Sequence, residues 1–327
     1  MSESEHATPS RRNGRLTIGY LTSSLQVQWP GVADAAEKYD VNLICFPGWA
    51  LRDTREFNIQ ANVLYDLVSA ENVDGIISWA SSIGNYVEAD ELAAFHERYR
   101  PLPIVSIGRT MEGISSLLMD SYTGMSEVIS HLIEVHGCQR LVFARGPEGH
   151  FYAQERYRAY TDTLEAHGIP FDPNLVTQPS LWGAAVAKRA MRLLLDEKKL
   201  RPGTDFDAIV AANDDMLLGV RDVLQEQGVR IPEDVALAGF DNIDAGRMSS
   251  PPFTTVASPF YEVGYRAVES LLALIEGKPV PEEESLPSKV VVRRSCGCLD
   301  PAVVEAAVGP VAAANETIEA ALAARRE

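Results

Sequence analysis

The chain has 327 residues, of which 46% are hydrophobic and 23% are charged, a composition typical of globular proteins and a length sufficient for two domains. Its 46 acidic residues outnumber its 29 basic residues, and the formal net charge is −17. A field of that sign repels phosphate backbones and anionic membranes, so we expect the chain as a whole to bind nucleic acid poorly. The polar N-terminus has no signal-peptide core and no apolar run is long enough to span a membrane, which predicts a cytoplasmic protein.

Short apolar runs alternate with helical stretches from Leu16 to Arg294, after a polar tail at 1–14 that we expect to be disordered. This alternation predicts parallel sheets covered by helices on both faces. About ten strands are more than one open sheet usually holds, so we expect two α/β units. The runs that we predict as strands are 16–21, 41–46, 76–78, 104–107, 114–119, 140–144, 175–177, 208–212, 235–240 and 289–294.

Apolar residues at helical spacing predict the connecting helices, several of which end at a glycine. Beyond Cys298 the composition changes, and 299–327 predicts either a surface helix with a frayed tail or a connector to a further segment. The predicted helices are 32–39, 56–70, 92–99, 125–136, 153–167, 184–196, 216–227 and 262–276.

The sequence contains none of the motifs that mark dinucleotide sites, P-loops, zinc proteases or serine hydrolases, and we expect no enzyme, no cofactor and no metal site. The six histidines are scattered, mostly on predicted helices. Cys296 and Cys298 form a C-x-C pair, but two ligands cannot close a structural zinc site. Two reduced thiols at a strand end are the favoured interpretation, and a redox pair or half of an intersubunit site is the alternative.

Polar side chains follow several predicted strands, at the carboxyl ends where open α/β sheets form their ligand crevice. Carboxylates and amides hydrogen-bond hydroxyl-rich ligands, and tryptophan stacks on the apolar faces of sugar rings. One such residue alone is more simply a helix cap or a solvated loop end, but the recurrence on several strands favours a small-molecule receptor. The polar candidates are Ser23, Trp79, Ser81, Asp120, Asn213 and Asp241, and Trp49 is a second stacking candidate.

Two long segments carry a distinctive order of motifs. Residues 208–242, AIVAANDDMLLGVRDVLQEQGVRIPEDVALAGFDN, give strand, Asn-Asp, helix, Pro-Glu-Asp, strand and Phe-Asp. Residues 249–277, SSPPFTTVASPFYEVGYRAVESLLALIEG, give Pro-Pro-hydrophobic-Thr-Thr-Val followed by a helix. These segments resemble the ligand-binding core of LacI/GalR-type regulators, which share the fold of periplasmic sugar-binding proteins. The resemblance extends over about 15–298.

The resemblance implies an α/β fold of two doubly wound parallel-sheet lobes, periplasmic binding protein-like of type I, joined by three crossovers with a cleft between them. It assigns 15–136 and 258–284 to the N-terminal lobe. It assigns 137–257 and 285–298 to the C-terminal lobe.

The resemblance also implies roles for individual residues. Arg156, Asn213 and Asp241 would hydrogen-bond ligand hydroxyls. Asp120 and Ser81 would face them from the opposing lobe. The segment that precedes Arg156 would line the cleft through Phe151 and Tyr152.

The family's regulators begin with a helix-turn-helix, where this chain has a short polar tail, and the ending RRSCGC is similar to sensor modules fused ahead of output domains. We therefore expect a cytoplasmic sensor of a small, sugar-like molecule that passes lobe closure to a homodimer partner or an output domain. DNA contact would need a module that is not in this chain. A transport-type sugar-binding protein is the alternative, and an enzyme is the least favoured class.

Overall fold

The structure is a computed structural model that describes residues 14–23, 29–53 and 58–299. The expected disordered tail, apart from Gly14, and the segment 300–327 lie outside the described residues. Among the helices described, none combines the length and the apolar character needed to cross a bilayer.

Eleven strands in the described residues form two sheets. The six-stranded sheet has the order β10-β5-β4-β3-β1-β2, and the five-stranded sheet has the order β11-β9-β8-β7-β6. All strand pairs are parallel except β11 with β9. The strands are β1 Thr17–Thr22, β2 Asn42–Pro47, β3 Gly75–Ser78, β4 Ile104–Ile107, β5 Ser115–Asp120, β6 Leu141–Ala144, β7 Ala208–Ala211, β8 Ala236–Phe240, β9 Thr254–Ala257, β10 Glu283–Pro287 and β11 Lys289–Val291.

Nine α-helices and three 3₁₀ helices connect the described strands. The 3₁₀ helices are Asn58–Leu67, Pro173–Leu175 and Arg294–Cys296. The α-helices are α1 Trp29–Lys38, α2 Ala80–Ile83, α3 Ala89–Glu97, α4 Ser121–Glu134, α5 Phe151–Ala166, α6 Ala184–Asp196, α7 Asp214–Glu226, α8 Asp244–Arg247 and α9 Phe260–Ile275.

Each sheet is the centre of a lobe. The N-terminal lobe is the six-stranded sheet with α1, α2, α3 and α9, and the C-terminal lobe is the five-stranded sheet with α4, α5, α6, α7 and α8. Every residue of β1, β3, β7 and β8 is buried, because helices cover both faces of a parallel sheet and leave no solvent-facing side. The chain passes from one sheet to the other three times, after β5, after β9 and after β10.

The sheets and cores differ from the expected lobe boundaries at two places. Helix α4 lies within 15–136, yet its buried residues, including Val128 and Leu132, belong to the core of the five-stranded sheet. Strand β10 continues to Pro287 in the six-stranded sheet, three residues beyond the expected boundary at 284. In both cases the chain crosses between lobes at a strand end, where no apolar pattern marks the change.

Two strands were not predicted, and three predicted elements take another form. Strand β10, EESLP, is a polar edge strand, and β9 is a four-residue run after two prolines. The predicted strand 175–177 is a single bridge between Val176 and Phe143. The predicted helix 56–70 is a 3₁₀ helix in its described part, and the predicted strand 289–294 ends at Val291.

Candidate functional site

A cavity of about 190 Å³ lies where the carboxyl ends of the two sheets face each other. In open α/β sheets this is the position at which ligands bind, because polar loop ends converge there. The N-terminal lobe contributes side chains that follow β3, one from β5 and the first residue of α9. The C-terminal lobe contributes α5, the segment before α6, and the ends of β7 and β8. The cavity wall consists of Trp79, Ser81, Ser82, Asn85, Met119, His150, Tyr152, Arg156, Trp182, Asn213, Asp241 and Phe260.

Arg156 is the charged centre of the C-terminal wall and is 4% exposed. Its Nη1 donates to the carbonyl oxygen of Ala212 at 2.7 Å, and its Nη2 donates to Oδ1 of Asp241 at 3.1 Å. The guanidinium carbon lies 3.7 Å from the centroid of the Phe240 ring, a cation–π contact. Burial lowers the pKa of Arg156 and the charge of Asp241 opposes that shift, so the buried guanidinium depends on its partner.

Asp241 lies in a loop with left-handed backbone at two successive non-glycine residues, φ 96° at Asp241 and 55° at Asn242. Such geometry is uncommon for residues other than glycine, and Asp and Asn adopt it most readily. The backbone N–H of Asp241 donates to Val256 at 2.8 Å, and the Ser258 hydroxyl donates to Oδ1 at 3.2 Å. Both side-chain contacts of Asp241 use Oδ1, so within the described structure Oδ2 is open to a ligand.

The adjacent residues Asn213 and Asp214, which follow β7, have different roles. Oδ1 of Asn213 accepts from the backbone N–H of Met216 at 2.9 Å and caps α7, which leaves its amide nitrogen for the cavity. Asp214 is buried and accepts from the Thr255 hydroxyl at 2.8 Å and from the Ile243 N–H at 3.1 Å. Burial raises the pKa of Asp214 to about 7. Asp214 thus anchors the loop that carries Asp241.

The N-terminal wall combines two aromatic rings with several small polar groups. Trp79 packs against Phe260 with 6.0 Å between ring centroids. Ser81 packs against Gly108, where φ is +81° and a Cβ would overlap with the serine hydroxyl. Oδ1 of Asn85 is buried and has no hydrogen-bond partner among the described residues.

His150 and Trp182 close the cavity from the C-terminal lobe. Their rings meet edge to face with 5.1 Å between centroids. A Cβ at Gly146 would lie 2.7 Å from the Trp182 ring, so only glycine leaves room for it. Burial, together with the charges of Arg156 and Arg109, lowers the pKa of His150 to about 3, which keeps the imidazole neutral.

Of the ten side chains predicted for the site, six lie in the cavity wall: Trp79, Ser81, Tyr152, Arg156, Asn213 and Asp241. The other four are outside it. Asp120 caps α4 by accepting from the Thr123 N–H at 2.9 Å. Ser23 bonds to Ser82, one step behind the wall. Phe151 and Trp49 are 38% and 39% exposed and do not line the cavity.

The prediction omitted Ser82, Asn85, Met119, His150, Trp182 and Phe260. Ser82 and Asn85 belong to the same polar segment after β3 as Ser81, and that segment is the sequence signal that could have identified them. His150 and Trp182 reach the cavity through the packing of α5 and α6, which no local pattern encodes. The side chains that together could hold a metal ion do not line the cavity. In the part of the chain that the structure describes, the only such group consists of His131, His136, Cys296 and Cys298.

Comparison with known proteins identifies relatives of this fold. A family model described as the periplasmic binding protein-like domain matches residues 129–296. The HTH-type transcriptional repressor CytR of Escherichia coli (strain K12) is 28% identical over 228 residues, which are 70% of this chain and 64% of the repressor. The chain thus spans less than two thirds of that relative's length.

Solved structures show the same fold. A complex of the transcriptional regulator CelR with cellobiose has a TM-score of 0.71 at 26% identity, covering 86% of this chain and 85% of the regulator. A lac repressor dimer bound to operator has a TM-score of 0.72 at 21% identity, and the match covers 88% of this chain and 95% of the repressor chain.

The predicted two-lobed α/β fold is confirmed, and so is the resemblance to LacI-type repressors at the level of the domain they share with this chain. The absence of a helix-turn-helix stays a prediction, because the family model covers 129–296 and residues 1–13 are not described. The family model matches more than half of the chain, and the chain belongs to the periplasmic binding protein-like domain family.

Proposed function

We propose that this chain is the effector-binding region of a transcriptional regulator or signalling protein, and that a small polar molecule binds between its lobes. The observation that carries the proposal is that three buried polar atoms on cavity residues have no hydrogen-bond partner among the described residues: Oδ1 of Asn85, Nδ1 of His150 and Nε of Arg156. A buried polar group without a partner costs about 1–3 kcal/mol. Three such groups around one cavity are expected where a ligand supplies the missing hydrogen bonds.

The chemistry of the wall favours a hydroxyl-rich ring as the ligand. Arg156 offers a donor, Asp241 an acceptor and Asn213 an amide, a mixture that suits hydroxyl groups. Trp79 and Trp182 offer aromatic surface for an apolar ring face. The cavity of about 190 Å³ is below the roughly 300–1,000 Å³ of drug-sized sites, which favours a small molecule. The solved complex of CelR with cellobiose supports a sugar.

Regulation would follow from lobe closure. Because both lobes contribute to the wall, a bound ligand stabilises the arrangement in which they are close, and that shift is passed to a partner. We propose a cytoplasmic homodimer, as the lac repressor structure is a dimer on its operator, and DNA contact through a separate module.

We further propose that the lobes divide at the three crossings after β5, β9 and β10. A transport-type binding protein is not favoured, because CytR and the other relatives are named as repressors.

A thermal-shift screen of monosaccharides, disaccharides and nucleosides tests the proposal. A ligand present at about 100 times its Kd should stabilise the fold by about 2.7 kcal/mol. Asp241→Asn keeps the shape but removes the charged acceptor, so the gain should disappear. Asp244→Asn, at a site 76% exposed, is the matched control and should keep it. A panel in which no compound shifts the wild-type transition would contradict the proposal.

A further inference from the structure

Four side chains with metal-ligand chemistry converge near the end of α4. They are His131 in the last turn of α4, His136 just beyond it, and the pair Cys296 and Cys298. Their ligand atoms all lie within 4.8 Å of one another. No other such group of His, Cys, Asp and Glu is found in the residues that the structure describes.

The separations between these atoms match one central ion. Nε2 of His131 lies 3.5 Å from Sγ of Cys296 and 3.6 Å from Sγ of Cys298. Nε2 of His136 lies 3.3 Å from Sγ of Cys298. A tetrahedral zinc ion with Zn–S of about 2.3 Å and Zn–N of about 2.0–2.1 Å separates its nitrogen and sulfur ligands by roughly 3.5 Å.

We propose that His131, His136, Cys296 and Cys298 bind a Zn²⁺ ion and thereby tie the segment after β11 to the end of α4. The donor set is two imidazoles and two sulfurs, which selects zinc over the oxygen-seeking ions Mg²⁺ and Ca²⁺. Two thiolates neutralise the charge of the ion, so the site needs no further carboxylate. Four protein ligands fill a tetrahedron, which gives the site a structural role.

The local fold aims both pairs at the same point. Gly297, between the cysteines, has φ +108°, a conformation that turns the chain back within one residue. A Cβ there would lie 3.3 Å from the His136 ring, so glycine also leaves room for the imidazole. Ser295 fixes the chain just before Cys296: its hydroxyl donates to the Leu237 carbonyl at 2.7 Å and accepts from the Thr254 N–H at 2.8 Å.

The surroundings of Cys296 suit a bound thiolate. The Thr254 hydroxyl lies 3.0 Å from Sγ of Cys296, where it would donate to the thiolate. Cys298 and both histidines are half-buried, which leaves the ion a path in.

The sequence hides this site because its two halves are 160 residues apart. The C-x-C pair alone supplies two ligands, and the His-x₄-His pair lies in and after a helix, where single histidines are common. The pairs meet only in the folded chain, where the 3₁₀ helix Arg294–Cys296 lies against β8 and β9 and Sγ of Cys296 reaches His131 of α4. The expectation of no metal site treated the cysteine pair and the scattered histidines separately.

Metal analysis of the full chain tests the proposal. Protein saturated with Zn²⁺ and then freed of unbound ion should retain about one zinc per chain. Co²⁺ in place of Zn²⁺ should give the intense visible bands of a tetrahedral site and the charge-transfer absorption of a thiolate ligand. Removing zinc with a chelator should lower the melting temperature, because the ion binds only the folded arrangement.

Two ligand variants and two matched controls decide whether these four residues are the site. Cys298→Ser and His136→Gln are at half-buried positions and should lower zinc retention by about tenfold or more. Cys45→Ser and His167→Gln, the same residue types outside the cluster, should retain zinc as the wild type does. Negligible zinc after saturation, retention unchanged in both ligand variants, or a disulfide between Cys296 and Cys298 in place of bound zinc would each overturn the proposal.

Discussion

At the scale of single residues, the cavity wall contains groups that cost stability in the absence of a ligand. Asn85 is the simplest example, because its buried Oδ1 has no partner among the described residues. Asn62 is a matched contrast: its Oδ1 accepts from the Trp49 N–H at 2.7 Å, and its amide donates to Ala50. The proposed function explains the difference, because Oδ1 of Asn85 would accept its hydrogen bond from the ligand.

We expect Asn85→Ala to leave the free energy of unfolding unchanged or to raise it, because removal of the unpartnered oxygen offsets the lost side-chain contacts, whereas Asn62→Ala should lose about 1 kcal/mol or more. Chemical denaturation of the ligand-free proteins measures both values. A loss at Asn85 as large as that at Asn62 would show that Asn85 has a structural partner and would remove the strongest support for a ligand.

Asp214 gives a pH dependence whose sign is fixed by its burial. Its pKa is about 7 in the folded chain, against about 3.9 when unfolded, so the folded state holds a proton that the unfolded state loses. The resulting stabilisation is complete below about pH 4 and is lost as the pH rises towards 7. Buried His96 and His150, with pKa values lowered to about 4 and about 3, act in the opposite direction below about pH 6.5.

The two effects are separated by comparing variants with the wild type at each pH. Asp214→Asn should be the less stable protein, and its deficit should shrink from pH 4 to pH 7 by up to about 1.4 kcal/mol per pH unit. Urea unfolding across that range measures the deficit, and Asp215→Asn at the exposed neighbouring position is the control. A deficit that stays constant with pH would contradict the assigned burial.

The part of the site that the sequence predicts is the part that follows strand ends. Asn213 and Asp241 each come directly after an apolar run, so a local pattern places them at the crevice. His150 and Trp182 depend on how α5 and α6 pack. Asp120 is the last residue of β5, but its side chain caps α4. A strand end therefore predicts a position, whereas the direction of a side chain depends on distant contacts.

At the scale of elements, glycines set the spacing of two helix pairs. A Cβ at Gly219 in α7 would overlap with the carbonyl of Ala184 in α6, and one at Gly31 in α1 would overlap with the carbonyl of Tyr261 in α9. The helices approach so closely that backbone meets backbone. Their amphipathic faces are predictable from sequence, but this close approach is not, because a glycine within a helix gives no periodic signal.

Gly219→Ala should lower the free energy of unfolding by about 1–3 kcal/mol, although alanine has the higher helix propensity, because the overlap pushes α6 and α7 apart. Gly149→Ala, where a Cβ would meet nothing within 4 Å, is the control and should be nearly neutral. Thermal unfolding of the two variants gives the comparison. Equal stability of both would mean that the helices are not packed as described.

At the scale of the whole molecule, the predicted alternation of strands and helices accounts for the two α/β lobes, and the three crossings place the cavity between them. The crossings themselves were predictable only from the resemblance, since β10 is a polar edge strand without an apolar run. The central claim is that the ligand touches both lobes at once. The cavity wall includes Asn85 from the N-terminal lobe and Trp182 from the C-terminal lobe.

Titration calorimetry with the best compound from the screen tests this claim directly, on the wild type, Asn85→Ala, Trp182→Ala and the control Trp49→Ala. Each cavity variant removes contacts worth about 1.4 kcal/mol or more, so both should weaken the affinity by about tenfold or more, one from each lobe, while Trp49→Ala leaves it unchanged. Affinity that responds to a variant in one lobe only, or to neither, would contradict binding between the lobes.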